Sequence, residues 1–312
     1  MRVVGVSEFG GPEALRVHEA PEPHAGPGEV RLRVEAAAVN PTDAALRAGW
    51  FKERREGHEP PYVPGMDAAG VIDEIGAGTA TDLRVGDAVM AVVVPRGAHG
   101  AYSEHLVLPA ESVVRAPAGA DLVAASTLPM NGLTARLALD ELGLEPGRTL
   151  VVTGAAGALG GYVIQLAKAD GLRVIADAAD EDRELVESLG ADVIVARGEG
   201  FAQRVREVEP EGAHGAVDAA LLDADIEPAV GDGGGIATVR GFSAEPGRGL
   251  RYLPVFVARY AEERAELDRL REQAERGTLT LRVADTYPAE KVADAHRRFE
   301  SGGVRGRLVI TF

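Results

Sequence analysis

The sequence predicts an α/β protein in which a doubly wound parallel sheet interrupts a β-rich domain. Between Leu150 and Asp177 a strand, a glycine-rich turn, a helix and a second strand follow one another without a break. From residue 121 to 254, strand-like and helix-like stretches alternate, which calls for parallel strands with helical crossovers on both faces. Residues 1–120 read mainly as strands and turns, and that texture returns near Pro254. One domain is therefore expected from 1–120 with 255–312, and the other from 121–254.

Val30-Arg31-Leu32-Arg33-Val34 alternates apolar and charged residues, as a half-buried antiparallel strand does. Val71 to Gly76 and Ala88 to Val93 are two further strands, and Gly10-Gly11-Pro12, Gly26-Pro27-Gly28 and Pro60-Pro61 mark turns. Asp121 can cap a helix through Leu122, Ala125 and Leu128, and a second helix covers Leu133 to Leu142. Further on come helix Asp180 to Leu189, strand Asp192 to Val195, helix Phe201 to Val208, and strands Ala216 to Ala220 and Gly235 to Val239. Beyond Pro254, residues Tyr260, Leu267, Leu270 and Ala274 share one face of a charged helix that ends at Gly277. Leu279 to Val283 alternates as a strand. Pro288 opens a helix with Val292, Ala295 and Phe299 inward, and Arg307 to Phe312 is a last strand.

The central stretch carries the chemistry. Leu150 to Thr153 is short, apolar and β-branched, as a buried strand is. Gly154, Ala155, Ala156, Gly157, Ala158, Leu159 and Gly160 follow at once. Tyr162, Val163, Leu166 and Ala167 then fall at helical spacing, Gly171 stops the helix, and Leu172 to Ala176 leads to Asp177. That acid stands about 20 residues past the first glycine, as a dinucleotide site requires. Glycines allow a tight turn and close approach to a pyrophosphate, which the N–H groups and dipole of the helix start attract. A small-residue turn that only packs a helix on a strand would carry similar glycines; the flanking strands and the acid favour the binding site.

The chain of 312 residues suggests about two domains. A net charge of -16 argues against nonspecific attraction to nucleic acid or an anionic membrane. No apolar run reaches the roughly 18 residues of a membrane span, and no signal peptide is expected before Arg2. Without cysteine there is no disulfide, thiol nucleophile or thiolate ligand, which is compatible with a cytoplasmic protein.

Several stretches in order resemble the medium-chain dehydrogenase/reductase superfamily, in its zinc-free quinone oxidoreductase (zeta-crystallin-like) branch. They are Asn40-Pro41-Thr42-Asp43, Pro64 to Gly70, Val85 to Val89, Gly100 to Glu104, Asn131-Gly132-Leu133-Thr134-Ala135, Ala295-His296, Glu300 to Gly302 and Gly306 to Val309. The resemblance implies a GroES-like β-rich catalytic domain plus a Rossmann domain, with substrate between them. It also implies a homodimer, whose edge here would be Tyr252 to Val257; that stretch reads equally as a core segment before a helix. Zinc relatives hold their catalytic metal at the positions of Pro41 and Met66, neither of them a ligand of that kind, and the four-cysteine site is missing. His99 and His105 read as loop residues, so no metal is expected.

A reductase without a metal suits an acceptor activated by conjugation, a quinone or an enone, with donors aimed at the far oxygen. Asn40, Asn131 and Thr134 stand where the family places groups beside cofactor and substrate, and each can equally be a turn or cap residue. Many relatives carry a tyrosine where this chain has Ala45, leaving Tyr62, Tyr102 or solvent as the proton source. The family implies NADPH. Asp177 facing a ribose would favour NADH, as would Asp180, Glu181 and Asp182, whereas Arg183 and Arg197 suit a 2′-phosphate. Gly241, Phe242 and Ser243, after the strand ending at Val239, complete the expected cofactor residues. Two alternatives stay open. One is an enoyl-thioester or natural-product tailoring reductase with a wide mouth at Trp50 to Arg55; the other is a nucleotide-binding crystallin-like structural or regulatory protein.

Overall fold

The computed structural model describes residues 1–50 and 52–312, without the side chains of Arg54 and Arg55. The chain divides into a first unit, Met1–Met130, Ala258–Arg276 and Leu281–Phe312, and a second, Asn131–Val257 and Gly277–Thr280.

The first unit begins with β1 (Arg2–Gly5) paired antiparallel to β2 (Arg16–Glu19). The alternating stretch around Leu32 lies in β3 (Glu29–Ala38), where Val30, Leu32 and Val34 point into the core. α1 (Pro41–Arg47) follows, then β4 (Asp67–Ile75), β5 (Ala88–Val92), β6 (His105–Pro109) and β7 (Val113–Arg115). α2 (Leu122–Ala125) is capped by Asp121, whose carboxylate accepts the Ala124 N–H at 2.7 Å. Because α2 packs on β3, β4 and β5, this segment of the unit continues past residue 120 to Met130.

The second unit takes up the alternation. α3 (Pro129–Leu142), β8 (Thr149–Thr153), α4 (Ala158–Ala169), β9 (Arg173–Ala178), α5 (Arg183–Ser188) and β10 (Val193–Ala196) come first. α6 (Phe201–Val208), β11 (Ala213–Asp218), β12 (Val230–Thr238) and β13 (Arg251–Pro254) complete it. Its strands are all parallel, in the order β10-β9-β8-β11-β12-β13. This is the doubly wound order of a dinucleotide-binding sheet, with its switch point between β8 and β11. Val151, Ile175, Ala216 and Ile236 centre its core.

The chain then returns to the first unit through α7 (Arg264–Glu275), β14 (Val283–Pro288), α8 (Val292–Glu300) and β15 (Arg307–Thr311). The resulting sheet has the order β14-β15-β3-β4-β5-β7, with β6 also on β3. One expectation shifts here. Leu279 to Thr280 is not strand: Leu279 is buried, and the Gln165 side chain brackets Thr280, donating to its hydroxyl at 2.9 Å and accepting its N–H at 3.1 Å. The strand starts only at Val283 and runs to Pro288, which also caps the 3-10 turn Ala289–Lys291 leading into α8, as expected. Among the described residues no helix is long and apolar enough to cross a membrane.

Candidate functional site

The glycine-rich turn leaves the end of β8 at the switch point, where open α/β sheets bind ligands. Gly154 has φ +65°, a left-handed conformation that glycine adopts without strain. A Cβ at Gly160 would lie 2.3 Å from the Gly154 carbonyl oxygen, so this glycine lets α4 seat against the turn. Gly157 differs. It is the N-cap of α4, and a Cβ there would meet only that same oxygen, at 3.0 Å. The outer side of the turn is therefore open, and the first-turn N–H groups of Ala158, Leu159 and Gly160 have no carbonyl partner within the helix. This cradle fits a diphosphate.

Asp177, Arg183, Arg197 and Gly241 to Ser243, among the other expected cofactor positions, lie at or just beyond the carboxyl ends of β9, β10 and β12. Asp177, the last but one residue of β9, is only 7% exposed, and its Oδ1 accepts the Ala155 N–H at 2.9 Å. Burial pushes its carboxyl up, opposed by the N–H groups of Ala155 and Gly154 and by Arg197. The expected ribose-facing carboxylate is thus turned onto the glycine turn. Arg197 follows β10 and is exposed, whereas the exposed Arg183 guanidinium reaches toward the Ile194 carbonyl oxygen at 3.5 Å. Gly241, Phe242 and Ser243 follow β12, where the Thr238 hydroxyl donates to the Phe242 carbonyl oxygen at 2.7 Å and the Phe242 ring stacks edge-on against Tyr252.

Sequence reasoning missed Thr153 and Asp218, the last residues of β8 and β11. The Thr153 hydroxyl donates to Asp218 Oδ1 at 2.6 Å and accepts the Ala220 N–H at 3.1 Å, while Asp218 Oδ2 accepts the Asp223 N–H at 2.8 Å. Their signal was a polar residue ending an apolar strand. Leu221, Asp223 and Arg240, in the loops after β11 and β12, have φ of 61°, 56° and 62°, strained for residues with side chains.

Asn131 and Thr134 sit one turn apart on α3 and are almost fully buried. Asn40 belongs to a buried network inside the first unit. Its Nδ2 donates to Asp67 Oδ2 at 2.7 Å and to the Ala38 carbonyl oxygen at 3.2 Å, and its Oδ1 accepts from the Arg307 guanidinium. Both amide N–H groups are therefore taken, which leaves Asn40 no donor for a substrate oxygen. Asp43 accepts the Asn40 N–H at 2.8 Å and the Gly65 N–H at 2.9 Å. The Tyr102 hydroxyl lies 3.2 Å from Asp43 and 3.3 Å from His296 Nε2. Asp67 also accepts the Met130 N–H at 2.6 Å, which caps α3 from a distant strand.

Burial is the dominant influence on these groups. It pushes Asp43 up to about 7 and Asp67 to about 6, and lowers His296 to about 3 with the help of Arg47. Tyr102 is raised well above the ordinary phenol value by burial and by Asp43, so it stays protonated. Pro41 is the first residue of α1, and Met66 is buried. Among the described residues no group of three or more His, Cys, Asp or Glu is placed to hold a metal ion. Of the loop Trp50 to Arg55, Trp50 is exposed and Lys52–Arg55 form a 3-10 turn, while Phe51 lies outside the described residues.

Two family models match, an alcohol dehydrogenase GroES-like domain over residues 26–118 and a zinc-binding dehydrogenase over residues 174–310. The chain is 30% identical to a 2-haloacrylate reductase from a Burkholderia species, covering 98% of this chain and 97% of the relative. It is 26% identical to a quinone oxidoreductase from Pongo abelii, covering 99% and 97%. Among solved structures, an NAD-dependent alcohol dehydrogenase is similar at 30% identity and TM-score 0.89, over 100% of both chains. A mycobacterial protein complexed with NADPH is similar at 26% identity and TM-score 0.87, again over 100% of both.

Proposed function

Since the chain belongs to the medium-chain dehydrogenase/reductase superfamily, in its quinone oxidoreductase branch, we propose that it reduces a quinone with hydride from NADPH and without a metal. The observation that carries this reading is the open glycine turn at the switch point of the parallel sheet, together with Pro41 and Met66 where zinc relatives keep ligands. The bound nicotinamide supplies the hydride. The residues Gly154 to Gly160 hold the diphosphate by backbone N–H groups, and the loops Ala219 to Asp223 and Arg240 to Ser243 flank it. Thr134 and Asn131 are the remaining candidates for groups beside the reacting atoms. Tyr102 is fully buried in the first unit's network, which supports water as the proton source. A quinone accepts this readily, because hydroquinone oxygens protonate from solvent.

NADPH is favoured over NADH because Asp177 is bound to the turn and the exposed Arg197 can meet a 2′-phosphate with charge-assisted hydrogen bonds. We also read the outer edge of β13, the last strand of its sheet and followed by the exposed Phe256, as the contact of a homodimer. The Burkholderia relative favours a second acceptor class, α,β-unsaturated carbonyl compounds such as haloacrylates.

The test follows consumption of NADPH and NADH with a benzoquinone, an enone and 2-chloroacrylate, with and without a chelator. The expected result is fastest turnover with NADPH and the quinone, unaffected by chelation. Activity lost to the chelator and restored by zinc would overturn the metal-free reading. Cofactor binding with no turnover of any acceptor would favour a crystallin-like role. Arg197→Ala should lower the NADPH/NADH ratio of kcat/KM by about tenfold.

A further inference from the structure

We propose that Asp177 is a positioning residue for the diphosphate-binding turn and not a ligand of the cofactor's ribose. This rests on the reading that the Gly154 to Gly160 turn binds a dinucleotide. Gly154 has no side chain and a left-handed backbone, so nothing of its own fixes the direction in which the chain leaves β8. That direction sets where the N–H groups at the start of α4 point. The peptide between Gly154 and Ala155 is held from the neighbouring strand β9, by the Asp177 oxygen 2.9 Å from the Ala155 N–H. On the other side, Asp218 at the end of β11 holds Thr153, the residue before the turn, at 2.6 Å. One acid from each strand adjoining β8 thus clamps the turn. An Asp177 carboxylate committed to this peptide acts alike on both dinucleotides, because they share the diphosphate and differ only at the ribose.

The experiment measures dissociation constants for NADPH and NADH by nicotinamide fluorescence, and kcat at saturating cofactor. Asp177→Ala should weaken both cofactors about tenfold, keep their ratio within twofold and leave kcat unchanged. Asp177→Asn, whose amide oxygen accepts the same N–H, should bind both within about threefold of the unaltered protein. A shift of more than fivefold toward NADPH in either variant would mean that the carboxylate faces the ribose, and so would overturn the proposal. Unchanged constants in Asp177→Ala would overturn it too. If Asp177→Ala does not fold, the ratio in Asp177→Asn decides. A Gly157→Val control separates the two readings: folded protein with unchanged binding would move the dinucleotide site itself elsewhere.

Discussion

Asp43 and Asp67 in the first unit are fully buried, and they meet side chains and N–H groups gathered from distant segments. Asp177 and Asp218 in the second unit also lie below the surface, but Asp218 ends β11 and bonds to the end of β8, while Asp177, one residue before the end of β9, bonds to the turn that follows β8. In the first unit the carboxylates hold a domain interior together by bonding to side chains and N–H groups that burial has taken out of bulk solvent. In the second they hold the ends of a backbone turn, through the Ala155 N–H and the Thr153 hydroxyl. Similar side chains at similar burial therefore do different work, decided by whether their partners are side chains of the core or peptide groups at a sheet edge.

The most severe test of this contrast is Asp67→Ala. It removes the carboxylate 3.8 Å from the buried Arg307 charge and the oxygen that accepts the Met130 N–H, so a loss of about 3–5 kcal/mol is expected in denaturant unfolding. Asp67→Asn, which keeps an acceptor for Met130, should lose less. A loss under 1 kcal/mol for the alanine variant would show that the network is not what secures this core.

Next comes the pair Gly160→Ala and Gly157→Ala. The first forces a methyl against the Gly154 carbonyl and should cost about 1–3 kcal/mol of stability. The second should cost less in stability while weakening NADPH binding. Equal thermal shifts with equal binding losses would erase the distinction between a packing glycine and a ligand-facing one.

The smallest effect is on pH dependence. Asp43 and Asp67 are raised to about 7 and about 6 from 3.8, so the folded state binds more protons between those values. Their contribution is fully present below 3.8 and is lost as pH rises from there through about 6 and about 7. His296, lowered to about 3 from 6.5, has the opposite sign: its contribution is lost as pH falls below 6.5. Two raised carboxyls outweigh one lowered imidazole, so the stability these groups contribute should peak near pH 4 and fall toward pH 6 and 7, with limbs no steeper than about 1.4 kcal/mol per pH unit for each group. Asp43→Asn should flatten the limb above the peak. A slope unchanged in that variant would place its origin elsewhere, with the surface charges of this acidic chain the next to examine.

The sequence by itself determined the second unit's plan. Strand, turn, helix and strand from Leu150 to Asp177 are each set by residues within a few positions of one another, through side-chain periodicity and glycine backbone freedom. It also determined the half-buried strand around Leu32 and the cap at Asp121 for the same local reason. Tertiary structure alone decided three things. The strand expected at Leu279 begins at Val283, because Gln165, 115 positions from Thr280, holds the segment. Asn40 is tied into the core rather than left to a substrate, because its partners Asp67 and Arg307 are 27 and 267 positions away. The Asp177 carboxylate turns to the Ala155 peptide, because β9 lies beside β8 in the sheet. Spacing along a chain fixes which face a residue occupies within its own element, but packing between elements fixes which partner it meets there.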